Sequence, residues 1–408
     1  MAENSGIEWT THTFNPWRGC AKVSPGCANC YADTMSKRNP GTLGVWGPNG
    51  TRVVAAGSYW KQPLKWNKEA ACTCGGGFRG KHSPYCPQAD RPRVFCASLA
   101  DVFEDWNGPM VNASGERLIG SWVNQESSKW EGVDNEMFTA DPQGFRAITM
   151  DDVRRRLFAL IDQTPHLDWL LLTKRPENIA RMMPPRDLGE RDEGIAEGDY
   201  GYYRDPDHAY RRPNVWLGVS VEDQQRADER IPHLLQVSAA VRFLSCEPLL
   251  GPVKLDLLRL DTGHPAMCVC GHGHGFTRCP NTGGIAATCG RKDCLCAGFR
   301  RKPGSWRGID WVIVGGESGP GARPMQVEWA RSLVKQCQAA GVACFVKQLG
   351  SNPKGDDFPV EHDPVTGNRI LKLRQVITIH DKKGGDIAEW PADLRVREFP
   401  AITHQGAA

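Results

Sequence analysis

The chain has 408 residues, of which 40% are hydrophobic and 24% are charged, and its formal net charge is +3. This length predicts two or three domains or one barrel-sized domain, and the balanced composition excludes fibrous, fully disordered and strongly basic proteins. No apolar run approaches the roughly 18 residues of a membrane span, and the N-terminus lacks the basic start and apolar stretch of a signal peptide. We therefore expect a soluble, cytoplasmic protein without a membrane partner.

Sixteen cysteines stand out in this composition. Cytoplasmic proteins rarely keep disulfides, so clustered thiols in such a protein are more often metal ligands or catalytic groups. Twelve of them fall into three tight groups. The other four lie singly in apolar stretches and are expected to be small buried core residues, namely Cys96, Cys246, Cys337 and Cys344.

The first group in chain order contains Cys20, Cys27 and Cys30, within eleven residues. Three thiolates in one loop can hold three corners of a metal cluster. A structural zinc site closes with four ligands, whereas a [4Fe–4S] cluster held by three cysteines leaves one iron open for a small molecule. The spacing alone leaves both alternatives open, because His12 or a distant residue could complete a zinc site.

Six short apolar runs, rich in β-branched and aromatic residues, recur at residues 93–98, 167–173, 214–221, 241–246, 309–314 and 342–347. Such runs are typical of parallel strands covered on both faces. Helical patterns lie between some of them, at residues 149–164, 222–235 and 327–340. This alternation predicts an α/β protein with a parallel sheet or a β/α barrel.

Polar residues follow the predicted strands, at residues 98–101, 173–175, 220–222, 245–247 and 315–318. In parallel α/β folds the active site forms at the carboxyl ends of the strands, so we expect these residues to converge. The alternative is that some of them only cap the helices that follow.

Two Gly-rich segments, residues 70–91 and 262–307, interrupt the alternation and hold the other cysteine groups. The first offers four soft ligands that match one zinc site, namely Cys72, Cys74, His82 and Cys86. The second offers eight, enough for two zinc ions or for one with spare ligands, namely Cys268, Cys270, His272, His274, Cys279, Cys289, Cys294 and Cys296. Auxiliary iron–sulfur clusters are the alternative, and segments so poor in apolar residues need a metal to fold.

Both inserts are also basic, and small zinc-stabilised basic modules commonly bind phosphate backbones. The first is flanked by or contains Arg79, Lys81, Arg91 and Arg93, and the second contains Arg278, Arg291, Lys292, Arg300, Arg301, Lys302 and Arg307. We expect any nucleic-acid contact at the inserts. The alternative is a pair of solvated, metal-bound loops that only widen the rim of the fold.

The first cysteine group lies in two blocks, Asn15-Pro-x2-Gly19-Cys20 and Ser24-Pro-Gly-Cys27-x2-Cys30-Tyr-Ala32. Further blocks follow at residues 95–103, 171–178, 216–222, 242–251, 311–319 and 345–348. Together they span most of residues 5–350 in order and resemble the phage Gp37/Gp68 (DUF5131) family, which is placed among the radical S-adenosylmethionine (SAM) proteins. The Cys-x6-Cys-x2-Cys spacing is wider than the usual Cys-x3-Cys-x2-Cys of radical SAM enzymes, and the two inserts depart from the family core.

This resemblance implies a partial or complete β/α barrel, similar to a TIM barrel, with two Cys-rich metal-binding inserts. The radical SAM-like core would cover residues 1–350, interrupted by the inserts at 70–91 and 262–307, and residues 351–408 would form a C-terminal extension. A phage or prophage protein of this kind would act in the host cytoplasm.

The resemblance also implies a [4Fe–4S] cluster on Cys20, Cys27 and Cys30, with SAM bound at the open iron. An electron donor of the flavodoxin or ferredoxin type would reduce the cluster. Cleavage of SAM would then release a 5′-deoxyadenosyl radical that takes a hydrogen atom from the substrate.

Roles for strand-end residues follow from the same resemblance. Ser98 and Asp101, whose Ser-x2-Asp pattern is similar to that of spore photoproduct lyase, are expected to contact the SAM amino group. Lys174 is placed like that enzyme's Thr-Lys and suits the SAM carboxylate. Ser220 is expected to bond the ribose or the carboxylate of SAM.

Three further residues complete the expected binding set. Tyr31, beside the last cluster cysteine, is expected to pack on adenine, with an ordinary packing aromatic as the alternative. Glu247 and Glu317 lie at strand ends and are expected to bind ribose hydroxyls or substrate.

These observations favour a radical SAM enzyme whose substrate is a base or sugar in nucleic acid, or a nucleotide. One alternative is a zinc protein without catalytic activity that binds nucleic acid. The other is a radical SAM enzyme that acts on a peptide or protein partner, with the inserts as docking modules. The sequence does not indicate an oligomeric state.

Overall fold

The computed structural model describes residues 5–70, 91–120, 146–184, 212–237, 239–255, 308–355, 361–362, 369–370 and 379–400. The chain divides into two compact units. The N-terminal unit comprises Met1–Val219, Val237–Ala240 and Thr403–Ala408, and the C-terminal unit comprises Ser220–Gln236 and Val241–Ile402. Among the described residues, no helix has both the length and the apolar character needed to cross a membrane.

The N-terminal unit combines a parallel sheet with helices and short strands. Its strands are β1 His12–Thr13, β2 Trp17–Arg18, β3 Arg52–Val54, β4 Arg93–Cys96, β5 Met110–Val111, β6 Ile119–Gly120, β7 Arg146–Ala147, β8 Asp168–Thr173 and β9 Val215–Ser220, whose last residue belongs to the other unit. Its helices are α1 Tyr31–Arg38, α2 Pro40–Leu43, α3 Gly57–Trp60, α4 Gln62–Ala70, α5 Met150–Gln163 and α6 Ile179–Met182.

Strands β1, β4, β8 and β9 pair in that order, and every pair is parallel. The pairs are in register across the unit, with Val94 opposite Trp169 and Trp169 opposite Val215. All six residues of β9 are buried, as are five of the six in β8. Burial on both faces explains why these strands are nearly continuous apolar runs in the sequence. A second, three-strand sheet has the order β2–β3–β5.

The C-terminal unit has its own parallel strands and two long helices. Its elements are α7 Gln224–Leu235, β10 Val241–Cys246, β11 Trp311–Gly315, β12 Met325–Gln326, α8 Val327–Ala340, β13 Ala343–Gln348, β14 Pro353–Lys354, β15 Glu361–His362 and β16 Arg369–Ile370. Strand β11 lies between β10 and β13 and is parallel to both. The β11–β13 register shifts by one residue after Val314, so that Gly315 pairs with Gln348.

The parallel strands of the N-terminal unit have the order β1–β4–β8–β9, and those of the C-terminal unit have the order β10–β11–β13. The predicted mixed α/β class is confirmed, and the parallel strands within each unit are compatible with a partial β/α barrel. The six predicted strands are confirmed to within two residues at each end as β4, β8, β9, β10, β11 and β13. Strand β1 was not predicted from the sequence. The cysteines and histidines of the two predicted inserts fall within residues 71–90 and 256–307, outside the described residues.

Local side-chain chemistry explains where the helices begin. Helix α5 begins after Thr149, which forms a reciprocal capping box with Asp152. Helix α7 begins after Asp223, whose carboxylate accepts from the Arg226 N–H at 2.9 Å. The three helices predicted at residues 149–164, 222–235 and 327–340 are confirmed as α5, α7 and α8. The cap of α7 is Asp223, which lies just after the polar residues 220–222.

The predicted role of the four single cysteines is confirmed. Cys96, Cys246, Cys337 and Cys344 are fully buried and outside disulfides. Burial raises the pKa of Cys96 and of Cys246 well above the ordinary thiol value, so both remain neutral. They therefore behave as small apolar core residues.

Candidate active site

The chain turns sharply at Gly19, directly before the first cysteine. Gly19 has a φ of +117°, a backbone conformation that favours glycine, and its N–H donates to the Leu99 carbonyl at 3.0 Å. A Cβ at this position would lie 2.6 Å from the carbonyl oxygen of Thr51 and 2.9 Å from the Arg52 side chain. Only glycine fits, and this turn sets the path of the chain into Cys20.

Cys27 and Cys30 both lie just before helix α1, which begins at Tyr31. Cys27 ends a 3₁₀ helix, Pro25–Cys27, and its N–H donates to the Ser24 carbonyl at 2.9 Å. The N–H of Cys30 donates to the Cys27 carbonyl at 3.4 Å, and Cys30 also packs on an apolar cluster of Ala32, Leu43 and Leu99. Like Cys20, both cysteines are partly exposed and outside disulfides. The segment therefore presents three thiols on a backbone fixed by the core.

A buried ion network lies beside this segment. The carboxylate of Glu104 accepts from Arg52 at 2.7 and 2.9 Å and from Arg175 at 3.3 Å. Arg175 also pairs with Asp101 at 2.9 Å, so two carboxylates balance two guanidinium groups. Arg52 is 0% exposed and Glu104 2% exposed, and Trp106 covers the Arg52 guanidinium at 3.8 Å. Buried charges of this kind are stable only when they are paired and hydrogen-bonded.

This network holds the first cysteine by the backbone. The N–H of Ala21 donates to Glu104 at 2.9 Å, and Arg175 donates to the carbonyl oxygen of Ala21 at 2.8 Å. The other end of the same guanidinium donates to the Cys20 Sγ at 3.6 Å. Both polar groups of Ala21 and the neighbouring thiol are therefore anchored to buried charges.

Asp101 holds Arg175 in place beside the cysteine segment. One of its oxygens accepts from the Thr173 hydroxyl at 2.7 Å and from the Phe103 N–H at 3.0 Å. The other accepts from the Lys174 N–H at 3.1 Å and from Arg175 at 2.9 Å. A carboxylate has about four acceptor positions, and four donors occupy those of Asp101. The geometry favours a positioning role for Asp101, and its predicted direct contact with SAM stays a prediction.

The cysteines differ in their readiness to ionise. Burial and the carboxylate of Glu104 raise the pKa of Cys20 to about 12, although the Arg175 guanidinium acts in the opposite direction. Burial also disfavours the thiolate of Cys27, but backbone hydrogen bonds and the charge of Lys174 outweigh it and hold the Cys27 pKa below its ordinary value. Metal binding deprotonates a cysteine ligand, so Cys27 is better prepared than Cys20 to become one.

Ser98 and Tyr31 lie together next to the cysteine segment. The Tyr31 hydroxyl donates to the Ser98 carbonyl at 2.6 Å, and Tyr31 is 57% exposed. The Ser98 hydroxyl bonds the side-chain amide of Asn15 at 3.0 Å, while the Asn15 oxygen accepts from the Leu99 N–H at 2.7 Å. The expected convergence of residues after β4 and β8 is confirmed within this unit, because residues 98–101 and 173–175 meet there.

In the C-terminal unit, Ser220 and Glu222 are joined by one arginine. Arg230 donates to the Ser220 carbonyl at 2.8 Å and to the Glu222 carboxylate at 2.7 Å. Glu222 is 0% exposed and Arg230 6% exposed. The start of α7 is thereby tied to the end of β9.

The two predicted glutamates of this unit are each paired with a cation. Glu247, after β10, accepts from the Lys347 ammonium at 2.6 Å and from Gln348 at 3.3 Å. Glu317, after β11, accepts from Arg323 at 2.7 and 3.0 Å, which is a bidentate pair. The hydrogen bond to Glu317 raises the pKa of Arg323.

The described residues contain no group of three or more histidine, cysteine, aspartate or glutamate side chains that could hold a metal ion. In a [4Fe–4S] cluster each thiolate binds a different iron, so the ligands do not surround a single ion. The predicted zinc ligands at positions 72–86 and 268–296 lie outside the described residues.

Two arginines expected to serve a nucleic-acid surface bind inside the fold. Arg91 pairs with Asp168 at 3.3 Å and donates to the Leu167 carbonyl at 3.1 Å, while Arg93 donates to the Trp9 carbonyl at 3.3 Å. Both arginines are therefore engaged in contacts within the N-terminal unit.

Three residues of the buried network were missing from the predicted site. Arg175 belongs to the polar group after β8, and Glu104 directly follows the block at residues 95–103, so their positions could have revealed them. Arg52 offers no such indication, because its partner Glu104 lies 52 residues away and no motif adjoins β3.

Comparison with known proteins identifies one family. A family model described as "Protein of unknown function (DUF5131)" matches residues 4–113 and 117–387. No curated protein and no solved structure matches the chain.

The variant Glu104→Gln tests the buried network. It removes the carboxylate that balances Arg52 and leaves Arg175 with Asp101 alone, so the free energy of unfolding should fall by about 3–5 kcal/mol in denaturant titrations. Glu69→Gln, which removes an exposed partner of Lys65, is the control and should cost less than about 1 kcal/mol. Equal losses in the two variants would contradict the anchoring role of Glu104.

Proposed function

The chain belongs to the DUF5131 family, and on that basis we propose that it is a radical SAM enzyme. In this proposal Cys20, Cys27 and Cys30 hold a [4Fe–4S] cluster, and SAM binds at the iron that no cysteine occupies. The observation that carries the proposal is the anchored segment of three thiols outside disulfides, with a guanidinium donating to Cys20.

The donor set fits such a cluster in number and in chemistry. Three thiolates leave one iron of the cluster open for SAM, and the partly exposed thiols can be reached from solvent. When bound, the cluster and SAM would supply one-electron cleavage of the sulfonium and a 5′-deoxyadenosyl radical for hydrogen abstraction.

The residues around Cys20 prepare the site before any cofactor binds. Glu104 and Arg175 fix the backbone at Ala21, so the Cys20 thiol loses little freedom when it becomes a ligand. Arg175 also offers an N–H to the sulfur, and hydrogen bonds to cysteine sulfur tune the reduction potential of a cluster. Asp101 acts through Arg175 and is a positioning residue in this proposal.

Other residues of the N-terminal unit would orient SAM. Lys174 suits its carboxylate as a positive point charge. Ser98 presents a hydroxyl that already bonds Asn15, and the exposed ring of Tyr31 offers a face for adenine. In the C-terminal unit, Ser220, Glu247 and Glu317 remain candidates for ribose or substrate contact.

The proposed substrate is a base or sugar in nucleic acid, or a nucleotide. This proposal is supported by the sequence, in which basic residues occur in both Cys-rich inserts. We also propose that these inserts bind zinc. Because Arg91 and Arg93 bind within the fold, the second insert is the stronger candidate for phosphate contact.

Anaerobic reconstitution with iron and sulfide, followed by dithionite and SAM, tests the proposed activity. We expect about four irons per chain, broad absorption from thiolate-ligated iron and release of 5′-deoxyadenosine. Cys27→Ala should lose the cluster and the product while keeping zinc in the inserts. Cys337→Ala, which removes a buried thiol of α8, is the matched control and should keep both.

Two outcomes of that experiment would contradict the proposal. Zinc as the only bound metal, with no SAM cleavage, would instead support a zinc protein without catalytic activity. A cluster that survives in Cys27→Ala would show that these three cysteines are not its ligands.

Deletion of residues 264–303 tests the proposed nucleic-acid contact. This segment holds six basic residues, so the deletion should weaken DNA binding and reduce the slope of log Kd against log salt by about 0.9 for each phosphate that the segment neutralises. Fluorescence anisotropy with duplex and single-stranded DNA measures both quantities. Affinity that responds neither to salt nor to the deletion would contradict the role of the insert, and a peptide substrate would then be favoured.

A further inference from the structure

A cluster of polar side chains lies at the carboxyl ends of β10, β11 and β13, within the C-terminal unit. Glu247 directly follows β10, and Lys347 lies on β13, on the far side of β11. Their charged groups nevertheless meet at 2.6 Å, and both side chains are 19% exposed. Two departures from regular sheet structure make this meeting possible.

The first departure is an irregularity at Lys347. Val314 pairs with Val346, but the next residue, Gly315, pairs with Gln348, which leaves Lys347 as the extra residue of β13. A bulge of this kind re-aims a side chain and is common next to active sites. Here it directs the ammonium group of Lys347 toward Glu247.

The second departure is the glycine that ends β11. A Cβ on Gly315 would lie 3.2 Å from Cδ and 3.3 Å from Cγ of Glu247, closer than ordinary van der Waals contact. The bare backbone therefore lets the Glu247 side chain cross the middle strand. Gln348 completes the arrangement by donating to Glu247 at 3.3 Å and to the Gly316 carbonyl at 2.9 Å.

The arrangement leaves hydrogen-bonding capacity for a ligand. Lys347 and Gln348 both donate to Oε1 of Glu247, and within the described part of the chain no residue donates to Oε2. The Lys347 ammonium carries three hydrogens, and its side chain makes one hydrogen bond among the described residues. The Glu247–Lys347 pair thus offers an acceptor-only oxygen beside a donor-only nitrogen.

The balanced charges of this cluster favour a neutral ligand group. Lys347 is balanced by Glu247, and Arg323 is balanced by Glu317 on the adjoining segment. A phosphate would have to displace the carboxylate of Glu247 from Lys347, and it would then face that carboxylate unpaired.

We propose that Glu247 and Lys347 form a subsite for a vicinal diol, such as the 2′,3′-hydroxyls of a ribose. One hydroxyl donates to Oε2 of Glu247 and its neighbour accepts from the Lys347 ammonium, so both partners are satisfied at once. A nucleobase edge can also present a donor beside an acceptor, but only in one orientation, whereas each hydroxyl can act as either. The place of this subsite in a reaction rests on the proposed function, with the diol belonging to the substrate or to SAM.

Calorimetric titration of the reconstituted full-length protein tests the subsite. Adenosine should bind about tenfold or more tightly than 2′,3′-dideoxyadenosine, as expected for hydrogen bonds to charged groups. Glu247→Gln and Lys347→Met should each remove most of this preference. Lys354→Met, a change at an exposed position on β14, is the control and should keep it. Thermal melting checks that each variant is folded.

A parallel titration with SAM distinguishes the two sources of the diol. Loss of SAM affinity in Glu247→Gln and Lys347→Met would assign the subsite to the ribose of SAM. Unchanged SAM affinity with loss of the adenosine preference would assign it to a second ligand. Each result supports the diol subsite.

Three results would overturn the inference. Equal binding of adenosine and 2′,3′-dideoxyadenosine to the unmodified protein would indicate a nucleobase edge instead. A preference that survives in both variants would place the diol elsewhere, and absence of binding by adenosine and SAM alike would remove the subsite. None of these measurements requires SAM cleavage, so a protein that binds diols but releases no 5′-deoxyadenosine would keep this subsite and lose the proposed function.

Discussion

The constraint on which the candidate site depends is the burial of Glu104 between two guanidinium groups. Its carboxylate cannot be left unpaired at 2% exposure, so Arg52 and Arg175 must both reach it. The same carboxylate accepts the N–H of Ala21, and Arg175 binds the carbonyl of that residue and the sulfur of Cys20. The pairing that the buried charges require therefore also fixes the position of the Cys20 thiol.

The strand ends of each unit show a shared design, in which charged side chains are held by partners of opposite charge. In the N-terminal unit four donors occupy the carboxylate oxygens of Asp101, which suits a residue that positions its neighbours rather than one that binds a ligand. In the C-terminal unit one oxygen of Glu247 has no donor among the described residues, which suits a residue that binds a ligand. The number of occupied acceptor positions, rather than the residue type, separates the two roles.

The sequence predicted those features that depend on residues close together along the chain. Apolar runs predicted the strands, and Thr149 and Asp223 explain where two helices begin. The four single cysteines were predicted to lie in the core, and all four are buried there. Strand β1 escaped prediction because two residues carry no periodicity. The partners of Glu104 also escaped, because Arg52 meets it only through the tertiary fold. Pairing across 52 residues leaves no local pattern to read.

The central claim is that three cysteines hold an iron–sulfur cluster with one iron open to SAM. Electron paramagnetic resonance of the dithionite-reduced, reconstituted protein, recorded with and without SAM, tests this claim most directly. The account predicts a [4Fe–4S]⁺ signal whose g values shift when SAM is added, because the amino and carboxylate groups of SAM bind the open iron. A cluster signal that saturating SAM leaves unchanged, or the absence of any cluster signal, would contradict it.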